Sequence, residues 1–388
     1  MTLIAAVGQA RALDGRETGL QATHQALNAL GRAAPILGVV IASYQYEAQQ
    51  VINGVASLTG NMPLIGFSAP AGMTSAGLHP HSVVIALLAS NDARAEVQWL
   101  AGYTQGSREI SQKLVDLLKH NPKQPSLLFA DGFNIDAEQL CASLPEGVNL
   151  AGALSSGDLH TGNAYQVGGT QFGAGGLALA RLEGRIRIGV GYAHGWQAVG
   201  AHFRVTRSRG FWVRTLDGRP ASESYARLFG YPAREWAFPP LNHLARLYPL
   251  GLEQPDKNLL LRSPLRIEAD GSFRMNAAVG DGSEAYLLTG SLSACQEAAR
   301  EAVRQAQAAL EGARPVLALV LTDVAWQMLF EAQPGADIAA VQGALGPEVP
   351  IAGGYTLGQI VPGGEGTPQF LNQNMVVIMV GEPGEKEK

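Results

Sequence analysis

The chain has 388 residues, 46% hydrophobic and 16% charged, with a formal net charge of −5; that apolar mass supports a folded core and excludes a disordered chain. The mildly acidic balance leaves no electrostatic footprint for nucleic acid or an anionic membrane surface, and two cysteines, Cys141 and Cys295, cannot build a disulfide framework or a four-ligand zinc site. The 47 glycines are about one residue in eight where ~7% is usual, and without a G-X-Y period or a linker context they exclude collagen and low-complexity tethers.

The N-terminal Met1–Val7 lacks a basic region and turns polar by Gln9, so it reads as a strand rather than a leader. No apolar run reaches the roughly 18 residues of a membrane span, and the expectation is a cytoplasmic protein without membrane insertion. Strands are predicted at Leu3–Val7, Ile36–Ile41, Leu64–Phe67, Val83–Leu88, Val97–Leu100 and Leu127–Ala130. Helices alternate with them at Gly15–Leu30, Glu47–Leu58, Ser107–Leu118 and Asp136–Ala142, with Ser107 and Asp136 as expected N-caps. From about Ala151 to Thr215 the pattern turns strand-rich, with Gly176–Ala180, Ile186–Tyr192, Phe203–Ser208 and Phe211–Leu216. Asp217-Gly218 reads as a turn and Pro220 as the start of a helix to Phe229. A proline-bearing stretch (237–249), a strand-rich part (259–289), a long helix Ser291–Leu310 and a strand Val316–Leu321 follow. The charged tail 382–388 is expected to be disordered.

Three glycines align in an internal repeat: Gly66 in LIGFSA, Gly152 in LAGALS and Gly353 in IAGGYT. Each ends a short strand, is followed by a hydroxyl residue and a glycine-bearing loop, and follows an apolar strand ending at Ser43, Asp131 or Asp323 and then a helix. Each leads to another apolar strand, Val83–Leu87, Leu177–Ala180 or Val376–Val380. The expected fold is α/β (α+β): mixed sheets covered by helices, in a pseudo-symmetric repeat of α-β-α-β-Gly loop-β units. Uneven spacing excludes a solenoid.

Catalytic signatures are sparse. No P-loop occurs, and Gly189-Val190-Gly191 neither completes a dinucleotide fingerprint nor opens a helix, so a closely packed strand is expected there. Ser68 lacks the second glycine of a nucleophile elbow and is followed two residues on by Pro70. His79 and His81 lack a nearby third metal ligand, and His194-Gly195-Trp196 reads as a packed turn as readily as a base. Asp131 and Asp323 fit a carboxylate pair or two caps equally well. Strand ends followed by glycine loops form anion-accepting concavities for a small carboxylate or phosphate. Ser68, Ser155, Ser156 and Thr356 add short polar groups and Tyr355 a polar-tipped wall. Arg262 and Arg266 would share one face of a single strand, where either could clamp a carboxylate.

At these residues the sequence resembles the FIST family, the F-box and intracellular signal transduction proteins, with an N-terminal and a C-terminal FIST domain. The resemblance rests on Ile65–Ala69 with Gly72, on His194–Gly200 followed by Val205–Arg207 and Leu216–Ala221 with Tyr225, on Leu261–Ser263 and Ala278–Gly282, and on Gly353–Ile360. It implies FIST N-terminal and C-terminal domains at 1–216 and 217–381, and a stand-alone sensory module. That module would bind a small ligand, an amino acid or related carboxylated metabolite, and signal through a separate kinase, cyclase or chemotaxis-type protein, since no output domain fits in this length. Phe67 stands where the family commonly has cysteine, Gln359 replaces the usual glutamate, and Thr322–Ala325 replaces a cysteine-glycine-arginine type segment. The expected ligand-binding residues are Gly66, Ser68, Asp131, Gly152, Ser155, Ser156, Arg262, Tyr355, Thr356 and Gln359, with no catalytic residue, cofactor or metal. The alternatives are a hydrolase or transferase using Ser68, His194 or Asp131, and a ligand-free scaffold with a partner surface near Trp212, Trp236 or Trp326.

Overall fold

The computed structural model describes residues 3–239, 241–254 and 259–384. Twelve strands fall into three units of four. The first unit takes Ile4–Ala10, Pro35–Ser43, Leu64–Ala69 and Val83–Ala89; the second Ala93–Leu100, Ser126–Ala130, Leu150–Leu154 and Leu177–Gly184; the third Arg187–Ala193, Arg314–Asp323, Ile351–Thr356 and Met375–Glu382. Within each sheet the spatial order is first, fourth, second, third. The second and third strands are parallel and the other pairs antiparallel. Helices fill the crossovers: Gly15–Leu30 and Ala48–Thr59, then Ser107–Leu118 and Ala137–Ser143, then Leu292–Ala309 and the pair Val324–Leu329 and Ala336–Leu345. The predicted repeat is therefore present as three copies of one topology.

The expected glycines sit at one equivalent place in each copy. Gly66, Gly152 and Gly353 pair with Val40, Leu128 and Val320 on the parallel neighbour. A Cβ at each would lie 2.2, 1.8 and 2.1 Å from that neighbour's carbonyl oxygen, so any side chain there forces the strands apart. Gly189 and Gly191 make a similar approach to the backbone of the helix Leu292–Ala309, as a closely packed strand requires.

Between its third and fourth strands each unit sends out a hairpin that leaves its own sheet. The first unit's hairpin (Ala71–Thr74, Gly77–Pro80) extends the third sheet, the second's (Gln166–Gly168, Gln171–Gly173) the first sheet, and the third's (Gln359–Val361, Gln369–Leu371) the second. The exchange is cyclic. Inner-face residues of all three sheets meet in one apolar cluster that includes Ile41, Phe67, Phe129, Ala178, Leu319 and Ile378, with the Phe67 and Phe129 rings 4.7 Å apart. The outer faces bury themselves under the helices.

A curled half-barrel lies between the third unit's first strand and its helix Leu292–Ala309. Its spine is the long strand Trp196–Arg209, which pairs with Glu284–Gly290 along its first part and with Trp212–Leu216 along its second. Tyr225, Trp236 and Phe273 centre its core. The third sheet thus draws three strands from before residue 217, Arg187–Ala193 and the two of the first unit's hairpin, and three from after it.

Several local expectations change. Ser107 is the first helical residue and makes no cap hydrogen bond, Gly106 being the N-cap, whereas Asp136 does cap its helix, accepting from the Gln139 N–H at 2.9 Å. Arg262 and Arg266 are on different strands, Leu259–Arg262 and Pro264–Ile267, with different partners, because the chain changes sheet partner at Ser263-Pro264. Trp236 and Trp326 are buried rather than surface residues. Glu382 ends the last strand, accepting from the Leu3 N–H and pairing with Arg314; residues 385–388 of the tail lie outside the described residues. Among the described residues no helix is long and apolar enough to cross a membrane.

Candidate functional site

The polar residues that end the second strands share one geometry. Asp131 accepts from the Phe133 N–H at 2.7 Å through one oxygen and from the Gly175 N–H at 2.7 Å through the other. Asp323 does the same with Ala325 and Gln373, both at 3.0 Å. Gly175 and Gln373 each lie two residues before their unit's last strand, as His81 does in the first unit, and all three have positive φ (68°, 62° and 56°). The carboxylates thus clamp the turn that launches the last strand. Both carboxylates serve the backbone: Asp323 caps the helix Val324–Leu329, as the capping alternative expects, whereas Asp131 holds a turn and the helix after it is capped by Asp136. Burial pushes the Asp323 carboxyl up, against the two backbone N–H groups and the Arg246 guanidinium.

The other expected residues are interior and most are engaged, while the Ser156 hydroxyl and Gln359 Oε1 are buried without a partner among the described residues. The Ser68 hydroxyl donates to the Ser156 carbonyl (2.8 Å) and accepts from the Tyr165 N–H (2.9 Å); neither partner is a base that could activate it. Ser155 bonds the Gln166 side chain at 2.6 Å. Gln359 stands at the equivalent hairpin position and donates to the Thr356 hydroxyl at 2.8 Å, so two of the exchanged hairpins are tied down by a glutamine–hydroxyl pair. Tyr355 donates to the Asp337 carboxylate at 2.8 Å. Burial raises both groups, and the nearby Asp337 charge raises the phenol further. Gly66 and Gly152 act through strand contact, as described above.

Arg262 is different. It ends the strand Leu259–Arg262, whose partner is Leu250–Glu253, and its side chain is 2% exposed. Nη2 meets Glu138 Oε1 at 2.6 Å and Nη1 donates to the Leu261 carbonyl at 3.1 Å. Nε is buried with no partner among the described residues. Arg262 lines a cleft of about 920 Å³ between the half-barrel, the helix Ala137–Ser143 and the third unit's exchanged hairpin, whose walls include Glu138, His194, Phe370, Asn372 and Asn374. Asn372 Oδ1 is likewise buried and without a partner, while its amide donates to Leu371 O and the Asn374 amide to Asn372 O. Burial pulls the His194 ring below the usual histidine range, and its Nδ1 accepts from the Trp196 N–H at 3.3 Å. Both cysteine thiols are buried and pushed up to about 12, which keeps them protonated and unreactive at neutral pH.

The sequence reading found Arg262 but missed Asn372, Gln373 and Asn374. The signal was a polar triplet interrupting the apolar run from Phe370 to Val380. Gln373 turns away from the cleft and donates to the Arg246 carbonyl and the Ser263 hydroxyl, both at 2.8 Å. Among the described residues no group of three or more His, Cys, Asp or Glu could hold a metal ion.

Residues 36–219 match the FIST N domain and residues 221–362 the FIST C domain. The chain belongs to the FIST family. FIST domains are known as candidate sensory domains for small ligands, and this FIST chain falls in that class. The third sheet straddles the two matched segments, with Arg187–Ala193 and the first unit's hairpin in the FIST N segment and Arg314–Asp323 and Ile351–Thr356 in the FIST C segment. No curated protein matches the chain. A solved structure titled "T. maritima PurL complexed with ADP" aligns over 98% of this chain and 72% of its own at 11% identity, with a TM-score of 0.22, and that likeness carries no argument.

Proposed function

We propose that the Arg262 cleft takes a small carboxylated metabolite, an amino acid or close derivative, and that this FIST chain signals its occupancy to a separate output protein of the kinase, cyclase or chemotaxis type. One observation carries the reading. A buried cationic donor without an acceptor, Arg262 Nε, and a buried acceptor without a donor, Asn372 Oδ1, belong to the same cleft. Each orphaned group costs about 1–3 kcal/mol, a cost that a ligand with both a carboxylate and an N–H group removes. The cleft volume is in the range of small-molecule sites. Its walls come from the half-barrel on one side and the repeated units on the other, so a ligand bridging them would alter how the two pack and so provide an output.

The test is thermal unfolding of the full chain against amino acids and small carboxylates. Binding at 100 times Kd should stabilise the fold by about 2.7 kcal/mol, and Arg262→Gln should weaken it about tenfold or more, since a charge-assisted contact is worth about 1.5–3 kcal/mol. A wild-type protein stabilised by none of these compounds overturns the reading.

A further inference from the structure

A second cleft, of about 240 Å³, lies on another side of the half-barrel. Three arginines line it, Arg246, Arg266 and Arg274, with Asn134 and Thr161 from the second unit across from them. Arg266 and Arg274 are direct cross-strand partners on the antiparallel strands Pro264–Ile267 and Phe273–Met275, an arrangement of like charges that destabilises a sheet when nothing lies between them. One carboxylate, Glu268, serves this pair, bonding Arg266 Nε at 3.0 Å; the Arg274 guanidinium carbon lies over the Trp212 ring, 4.8 Å from its centroid. Arg246 is 2% exposed, and its Nε has no partner among the described residues. Burial pulls its guanidinium down to about 10, so it stays charged at neutral pH. Asp323 acts on it only through space, both carboxylate oxygens being taken by backbone N–H groups.

We propose that this cleft binds a phosphoryl group, as inorganic phosphate or as the head of a phosphate monoester, gripped by Arg246, Arg266 and Arg274. Three guanidiniums against Glu268, with the buried Asp323 acting on Arg246 through space, still leave an excess of positive charge that a phosphate anion neutralises, and the planar donor forks suit phosphate oxygens. Phe133, Leu159 and Leu265 leave an apolar wall for the body of a monoester. The site is chemically separate from the Arg262 cleft, but Gln373 joins them: its amide holds the Arg246 carbonyl and Ser263, the neighbour of Arg262.

The experiment is a calorimetric titration of the full chain with inorganic phosphate, against chloride at matched ionic strength. The expected result is saturable binding at a single site, weakened about tenfold or more by Arg274→Ala and by Arg266→Ala, both partly exposed positions that leave the core intact. Arg246→Gln should abolish binding; if that variant fails to fold, the other two carry the test. Absence of saturable binding, or phosphate binding equal in wild type, Arg266→Ala and Arg274→Ala, overturns the proposal. Arg262→Gln should leave phosphate binding in place, so the two clefts succeed or fail separately.

Discussion

The Tyr355 hydroxyl, which the sequence offers to a ligand, already has a partner in the structure. The phenol is buried and gives its proton to Asp337, a carboxylate that is itself buried. Removing the donor leaves that carboxylate short of a partner, so Tyr355→Phe should cost about 1–3 kcal/mol at neutral pH, read by denaturant unfolding. The pH dependence has a definite sign. Asp337 titrates above its ordinary value, so the unfolded chain releases this proton first, and the stability the protonated acid contributes is lost as pH rises through the native value. Without Tyr355 the native carboxyl titrates higher still. The deficit of the variant should therefore shrink as pH falls and Asp337 becomes neutral; a deficit that does not change with pH would show that lost packing, and not the hydrogen bond, is responsible.

At the scale of elements, each unit solves the same joint. A chain leaving the second strand must turn outward into a helix, and the fourth strand must start beside it. In two copies an aspartate clamps both ends of this joint; in the first, Ser43 stands in its place and holds Ser82 through the backbone. Asp131→Ala should destabilise by about 2 kcal/mol or more, since two backbone N–H groups lose their acceptor in a buried turn; full stability of that variant would show that the joint is held by packing alone. The aligned glycines belong to the same scale. Their repeated position was visible because the parallel neighbour's carbonyl leaves no room for a Cβ, which forces glycine in all three copies. The glutamine–hydroxyl ties at Ser155 and Thr356 could not be read, because each joins a strand end to a hairpin whose placement is not local.

In the whole molecule, the three units are interlocked by the exchanged hairpins. Met73, in the first unit's hairpin, pairs with Gly353 in the third sheet and is fully buried. Met73→Ala should cost about 2–5 kcal/mol and lower hydrogen-exchange protection in Ile351–Thr356, far away in sequence, before it does so in the first unit's own sheet. Loss of protection confined to the first unit would contradict the interlock. The half-barrel adds the surface on which both proposed sites rest, since both arginine clefts lie where it meets the repeated units.

The sequence by itself determined the alternation of strands and helices, the threefold repeat and the glycines at its strand junctions, because these follow from local periodicity and from contacts between neighbouring strands. It also marked Arg262. Only the tertiary structure decided which polar residues keep an unpartnered atom. Ser68, Ser155, Tyr355 and Thr356 look alike in sequence to residues that face a ligand, yet Ser68 finds a partner in a neighbouring unit, Ser155 and Thr356 in an exchanged hairpin, and Tyr355 in the helix Ala336–Leu345 of its own unit. Arg246, Arg262 and Asn372 keep unpartnered atoms because they stand where the inserted half-barrel meets the repeat, and whether a polar group is satisfied there depends on contacts between segments far apart in the chain.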